Sequence, residues 1–334
     1  MSSIQNCNKK EILQVDHLRI EYPTRKGVLV PVDDISFSVR EGEILAIVGE
    51  SGAGKSMSGM AIINLLEPPG EIARGNVVLN GRRIDNLPAQ AMQKVRGGEI
   101  GVIFQDPLTS LNPLFTIGKQ LVQTITTHTD LSAFKAKKRA VELLNEVGIS
   151  GADSHFDSYP HEFSGGMRQR VVIALALCAG PKLIIADEPT TALDVSIQAQ
   201  ILSLLKTLCR EHQTAIILIT HDMGVVRKMA DRVAVMYAGR IVEVGSVDAI
   251  IKDAKHPYTS GLMKCIPNIG STVENLHHIA GSMPRLLEIP TGCAFHPRCS
   301  MMKERCRTER PELIPLEENH EAACLLFDKE RTDA

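Results

Sequence analysis

The octapeptide Gly49-Glu50-Ser51-Gly52-Ala53-Gly54-Lys55-Ser56 has the spacing GxxxxGK[ST] and follows the apolar run 44–48. That pairing demands one local shape: a buried strand, a tight glycine loop and a helix starting near Lys55. Gly49, Gly52 and Gly54 let successive backbone N–H groups curl round a phosphate, with Ser51 among them, and the positive end of the helix faces the same point. Lys55 brings a point charge to the β- and γ-phosphates. Ser56 offers a hydroxyl to Mg²⁺, a hard cation that takes oxygen ligands. These residues predict a nucleotide-phosphate site.

At 334 residues and 44% apolar, the chain is long enough for one large domain and an extension. A net charge of −2 and the lack of any basic stripe argue against nucleic acid as a partner. The longest apolar run, 171–179, is too short to cross a bilayer. Residues 1–10 lack the apolar core of a secretory signal, so the cytosol is expected and any membrane role is peripheral. In a reducing compartment the eight cysteines are not expected to form disulfides. Cys7, Cys178, Cys209 and Cys265 are read as structural, and Cys178 and Cys209, in helix-like apolar surroundings, as small core residues.

Alternation over 12–20 and 35–39 predicts an antiparallel β layer leading into the loop. After the loop a helix is expected to about residue 66, then a break at Pro68-Pro69-Gly70 and a strand over 76–80 closed by Asn80-Gly81. Residues 106–180 carry helical periodicity and predict an inserted helical subdomain. The short all-apolar runs 183–186 and 215–219, separated by a helix near 196–212, suit a central parallel sheet covered by helices. Composition shifts after His256-Pro257, which divides the chain into a domain of 1–255 and an extension of 256–334.

Two further motifs carry chemistry. The run 183–186 ends in Asp187-Glu188, at the strand edge where parallel sheets place ligands. Asp187 is suited to hold Mg²⁺, directly or through water, and Glu188 to polarise a water for in-line attack on the γ-phosphate. Alone, Asp-Glu-Pro could simply cap a strand; the upstream loop favours the catalytic reading. The second motif is Phe163-Ser164-Gly165-Gly166-Met167, ahead of the helical run 171–179. It is either a second anion cradle at a helix start or an ordinary Ser cap with a glycine turn.

With these motifs in this order, residues 12–245 resemble the ATP-binding cassette of ABC transporters, whose LSGGQ signature stands here as Phe-Ser-Gly-Gly-Met. The resemblance implies an α/β fold: a P-loop ABC ATPase with a RecA-like core, an antiparallel β layer, a helical subdomain and a small Cys-containing C-terminal extension. It places Tyr22 where an aromatic stacks on adenine, although a half-buried strand tyrosine fits the residue equally well. It makes Gln105 the Q-loop residue that joins Ser56 and Asp187 around Mg²⁺, Asp194 the D-loop aspartate and His221 the switch histidine at the γ-phosphate. Ser164, Gly165, Gly166 and Met167 would act in trans, closing over ATP bound to a facing subunit. Phe163 for Leu and Met167 for Gln depart from the signature and leave its Ser-Gly-Gly cradle intact.

The extension contains His256-Pro257-Tyr258-Thr259 and then Cys293, Cys299, Cys306 and Cys324. Intervals of five, six and seventeen residues do not fit the paired hooks of structural zinc, whereas four thiolates can hold an iron–sulfur cluster. The stretch Gly292-Cys293-Ala294-Phe295-His296-Pro297-Arg298-Cys299 resembles the tail of ATPase subunits in oligopeptide, dipeptide and nickel importers, some of which carry a [4Fe–4S] cluster. Three readings stand: a [4Fe–4S] cluster first, zinc with help from His296 or His320 second, four free thiols third. The resemblance implies an ATP- and Mg²⁺-dependent ATPase that powers uptake of dipeptides or oligopeptides from the cytoplasmic face of a bacterial inner membrane. It implies as partners a second, homologous ATPase forming a heterodimer, two transmembrane permease subunits and an extracytoplasmic binding protein. Nickel, glutathione or another small solute is the alternative cargo. A soluble ABC ATPase of DNA repair or translation is disfavoured by the short Ser56-to-Asp187 interval and the single cassette, and a non-hydrolysing nucleotide-binding module by Glu188 and His221.

Overall fold

Short all-apolar runs and alternating runs become strands here, and longer runs of helical period become helices. The computed structural model describes residues 9–191, 193–265 and 279–328; Cys7 lies outside them. In chain order the strands are β1 (Glu11–Thr24), β2 (Gly27–Arg40), β3 (Ile44–Val48), β4 (Glu71–Leu79), β5 (Arg82–Arg83) and β6 (Ile100–Ile103). They continue with β7 (Leu183–Asp187), β8 (Ala215–Thr220), β9 (Arg232–Tyr237), β10 (Arg240–Ser246), β11 (Ile314–Glu317) and β12 (His320–Ala322). The chain forms two compact units, one from residues up to Leu13, Ser38–Ile44 and Leu79–Leu218, the other from Gln14–Phe37, Leu45–Val78 and Ile219 onward.

In the first unit β6 runs parallel to β7, with Ile100 opposite Leu183 and Ile103 opposite Ala186, and β8 lies on the other side of β7. Leu183, Ile184, Ile185 and Ala186 are buried, as is every residue of β8, which is what all-apolar runs in a covered parallel sheet require. The expected helical insertion is present as helices Pro107–Ser110, Ile117–His128, Ala133–Glu146, Ala152–His155 and Gly165–Leu177. Thr116 caps the second of these by accepting the Lys119 N–H, and Ile117, Leu121 and Ile125 recur every four residues on its buried face. Ala136, Ala140, Leu143 and Leu144 do the same for the third. Helix Gly165–Leu177 is buried over most of its circumference, so the apolar run 171–179 is a core helix. Burial pushes the Cys178 and Cys209 thiols up to about 12, in keeping with their reading as small apolar core residues.

In the second unit β2, β1 and β4 form a separate sheet, in which Val15, Leu18 and Ile20 are buried while Asp16 and Arg19 point away from that core. The strand after Pro68-Pro69-Gly70 starts at Glu71 rather than residue 76; residues 71–75 show no apolar alternation that would mark them as strand. Helix Lys55–Ile62 likewise stops short of residue 66. In a second sheet β3 runs parallel to β9, with Val48 opposite Val235; β9 pairs antiparallel with β10, β10 with β12 and β12 with β11. The last residues of the chain that the structure describes therefore complete a sheet begun near residue 45. Tyr237, Tyr258 and Phe295 close the core behind β3 and β9, with edge-on ring centroids 4.7 and 5.2 Å from Tyr237. Glu243 on β10 is fully buried, and its carboxylate accepts the backbone N–H groups of Lys255 (2.7 Å) and His256 (3.0 Å) and meets His320 Nε2 at 2.7 Å. A buried carboxylate held by three donors pins residues 255, 256 and 320 to one strand.

Candidate nucleotide-phosphate site

The loop after β3 has glycine where nothing larger fits. A Cβ on Gly49 would lie 2.3 Å from the Met236 carbonyl oxygen, and one on Gly54, where φ is 100°, 2.4 Å from that of Pro31. Helix Lys55–Ile62 begins directly behind Gly54 with no side-chain cap on its first turn. Ser51, Gly52 and Ser56 are exposed, while Lys55 is 7% exposed and donates from Nζ to the carbonyls of Gly49 (2.9 Å) and Glu50 (3.1 Å). A helix start with no side-chain cap, beside an ammonium folded into the loop, is the geometry of an anion cradle. Tyr22 is half-buried, its hydroxyl 3.5 Å from Met57 Sδ and its ring against Gly70. His221 is exposed ahead of helix Met223–Met229, which Asp222 caps by accepting the N–H groups of Gly224 (2.7 Å) and Val225 (3.2 Å).

In the first unit the structure brings Gln105 and Glu188 together. Asp187 ends β7, and Glu188 follows in the left-handed region at φ 45°. Its Oε2 accepts from Gln105 Nε2 (3.2 Å) and Thr191 Oγ1 (3.0 Å). Thr191 was not among the residues singled out from sequence; it lies just past the motif, and only the turn at Pro189 brings its hydroxyl back to Glu188. Ser164 is exposed and caps helix Gly165–Leu177, accepting the Met167 N–H at 3.3 Å. Phe163 is 2% exposed, which accounts for an apolar exchange at that signature position. Asp194 is exposed at the start of helix Val195–Glu211.

The iron–sulfur expectation is corrected by the structure. Among the described residues no group of three or more His, Cys, Asp or Glu side chains is placed to hold a metal ion, so Cys293, Cys299, Cys306 and Cys324 do not form the predicted [4Fe–4S] site. The zinc reading fails on the same ground, and His320 is engaged by Glu243. Cys306 is buried, and Cys293 and Cys299 pack against the Tyr237–Tyr258–Phe295 core. None of the four is in a disulfide.

A loop that admits only glycine at two positions, a buried ammonium behind it and a carboxylate pair ending a buried strand define the class of phosphate-loop nucleotide-binding proteins. Comparison with known proteins gives the family. The ABC transporter family profile matches residues 32–191, and the profile of the oligopeptide/dipeptide transporter C-terminal region matches 242–306. The chain is 50% identical over 311 residues to the oligopeptide transport ATP-binding protein OppD of Bacillus subtilis, covering 92% of this chain and 87% of that protein. It is 42% identical over 313 residues to the dipeptide transport ATP-binding protein DppD of Escherichia coli, covering 94% and 96%. Among solved structures, a dimeric ATP-binding cassette in a post-hydrolysis state bound to ADP and Pi matches with a TM-score of 0.63 and 27% identity, over 71% of this chain and 99% of that one. The chain belongs to the ABC transporter family of ATP-binding proteins, in the group that carries the oligopeptide/dipeptide C-terminal region.

Proposed function

We propose that this chain is the ATP-hydrolysing subunit of an ABC importer and powers uptake of dipeptides or oligopeptides through separate permease proteins. The observation that carries the reading is the joint match to an ABC transporter profile and to the oligopeptide/dipeptide C-terminal profile in one chain. The division into a cassette of 1–255 and an extension of 256–334 is part of this proposal; the cassette profile ends at residue 191 and the C-terminal profile begins at 242. In the proposed chemistry Gly49, Ser51, Gly52, Gly54 and Lys55 bind the phosphates, with Tyr22 against the adenine. Glu188, oriented by its bonds from Gln105 and Thr191, takes a proton from the attacking water, and His221 contacts the γ-phosphate. Ser56, Asp187 and Gln105 are oxygen donors of the kind Mg²⁺ prefers and would hold it; the ion supplies charge neutralisation to the phosphates. Ser164, Gly165, Gly166 and Met167 would complete the site of a second, homologous ATPase, and Asp194 would lie at that seam.

Among the described residues no helix is long and apolar enough to cross a membrane. The reading therefore gives the substrate path to two permease subunits, with the chain on the cytoplasmic face of the inner membrane and an extracytoplasmic protein delivering cargo. Exposed Leu108, Leu114 and Phe134 on the helical insertion are suited to docking on such permeases. The test is ATPase activity of the reconstituted complex, with the cognate binding protein presenting dipeptides, longer peptides, glutathione or nickel. Stimulation by peptides supports the proposal. Stimulation by nickel or glutathione alone replaces the cargo, and failure to associate with any permease overturns the importer reading.

A further inference from the structure

Glu50, the second residue of the phosphate loop, is tied at three points. Its backbone N–H donates to the Tyr258 hydroxyl at 2.9 Å. Arg298 Nη1 lies 3.1 Å from its carboxylate and donates to Oε2. Its carbonyl accepts from Lys55 Nζ at 3.1 Å. The first two partners come from residues after 256, outside the cassette.

Neither partner is a loosely held surface group. Tyr258 is fully buried, its ring packed edge-on against Tyr237 and tilted against Phe295, 5.4 Å away. The Arg298 side chain is 7% exposed. Its Nε donates to the Ala280 carbonyl at 2.8 Å and its Nη2 to that of Ile279 at 3.3 Å, and its guanidinium lies 5.8 Å from the Tyr237 and Phe295 ring centroids. A guanidinium anchored by two backbone carbonyls and two rings offers its remaining N–H groups in a fixed direction.

The Glu50 N–H shares its peptide plane with the Gly49 carbonyl, so the bond to Tyr258 also fixes the carbonyl that accepts from Lys55 Nζ at 2.9 Å, while Arg298 holds the side chain of the residue whose own carbonyl takes the second Lys55 bond. We propose that Tyr258 and Arg298 are positioning residues for nucleotide binding, through which the C-terminal extension holds the phosphate loop in its phosphate-accepting shape. The inference rests on the reading of residues 49–56 as the ATP-binding loop. A loop without these ties must be ordered by the ligand, and that cost appears as lost affinity.

Titration of the full chain with a fluorescent ATP analogue, alongside steady-state ATPase kinetics, tests this. Arg298→Met and the near-isosteric Tyr258→Phe should each weaken binding, Arg298→Met about tenfold as expected for loss of a charge-assisted hydrogen bond, and should raise KM more than they lower kcat. Arg298→Lys should recover part of the loss. Glu50→Gln should match Arg298→Met, and the double variant should be no weaker than either single one, because both remove the same contact. Wild-type affinity in Arg298→Met and Tyr258→Phe, with Lys55→Ala binding lost, overturns the inference and leaves the loop reading standing. Fully additive losses in the double variant overturn it too, since a mere packing role for Arg298 would not couple to Glu50. If Lys55→Ala binds like wild type, the loop reading itself fails and takes the inference with it.

Discussion

At Glu188 an L side chain sits at φ 45°, a backbone choice that costs about 1–3 kcal/mol and persists only where the surroundings enforce it. The bonds from Gln105 and Thr191 supply that enforcement and aim the carboxylate. If Glu188 is the general base, Glu188→Gln should retain ATP binding while lowering turnover by about 10²-fold or more. Binding and single-turnover hydrolysis measured on one preparation separate the two effects, and undiminished turnover would strip Glu188 of the role. Lys55, Asp187 and Glu188 were readable because each belongs to a short motif whose spacing reflects one local shape. Thr191 was not readable, since its contribution depends on the direction of a turn. Glu50 lay inside a recognised motif, but its partners are some two hundred residues away, where spacing carries no signal.

The strands β7 and β8 and the helix between them follow directly from all-apolar runs and amphipathic spacing. The hairpin of β9 and β10 does not announce itself: its turn is Ala238-Gly239, both at positive φ, where Asn-Gly or Asp-Gly is the usual marker. The cysteine block misled because sequence shows that four sulfurs are close along the chain, and not whether the fold gathers them into one ligand group, which among the described residues it does not. At this scale a pH dependence follows from the start of helix Pro257–Lys264. His256 is buried, accepts the Tyr258 N–H on Nδ1 at 3.1 Å and is therefore neutral, its imidazole pushed down to about 4 by burial. Between about 6.5 and that value the unfolded chain binds the proton and the folded one does not. His256 thus favours the fold above about pH 6.5, and that contribution is lost as pH falls toward 4, by a total on the order of 3 kcal/mol. Thermal unfolding from pH 7.5 down to 5 should show a falling Tm. His256→Asn, which keeps an acceptor for the Tyr258 N–H, should flatten the fall.

For the chain as a whole, β12 occupies the side of β10 that β9 leaves bare, through Glu243 opposite Ala322 and Val244 opposite Glu321. Outside it β11 is short, carries Pro315 and ends in Glu317, features that discourage another strand from adding on. A chain stopped before Ile314 should lose solubility and elute from size exclusion as large, concentration-dependent species where the full chain does not. Unchanged elution would show that β12 is dispensable for this purpose. Such a clipped chain retains each motif assigned to ATP while exposing a bare backbone rim and leaving Glu243 without His320. A single cut by a protease in the stretch before Ile314 could therefore seed clumping by an otherwise intact motor subunit.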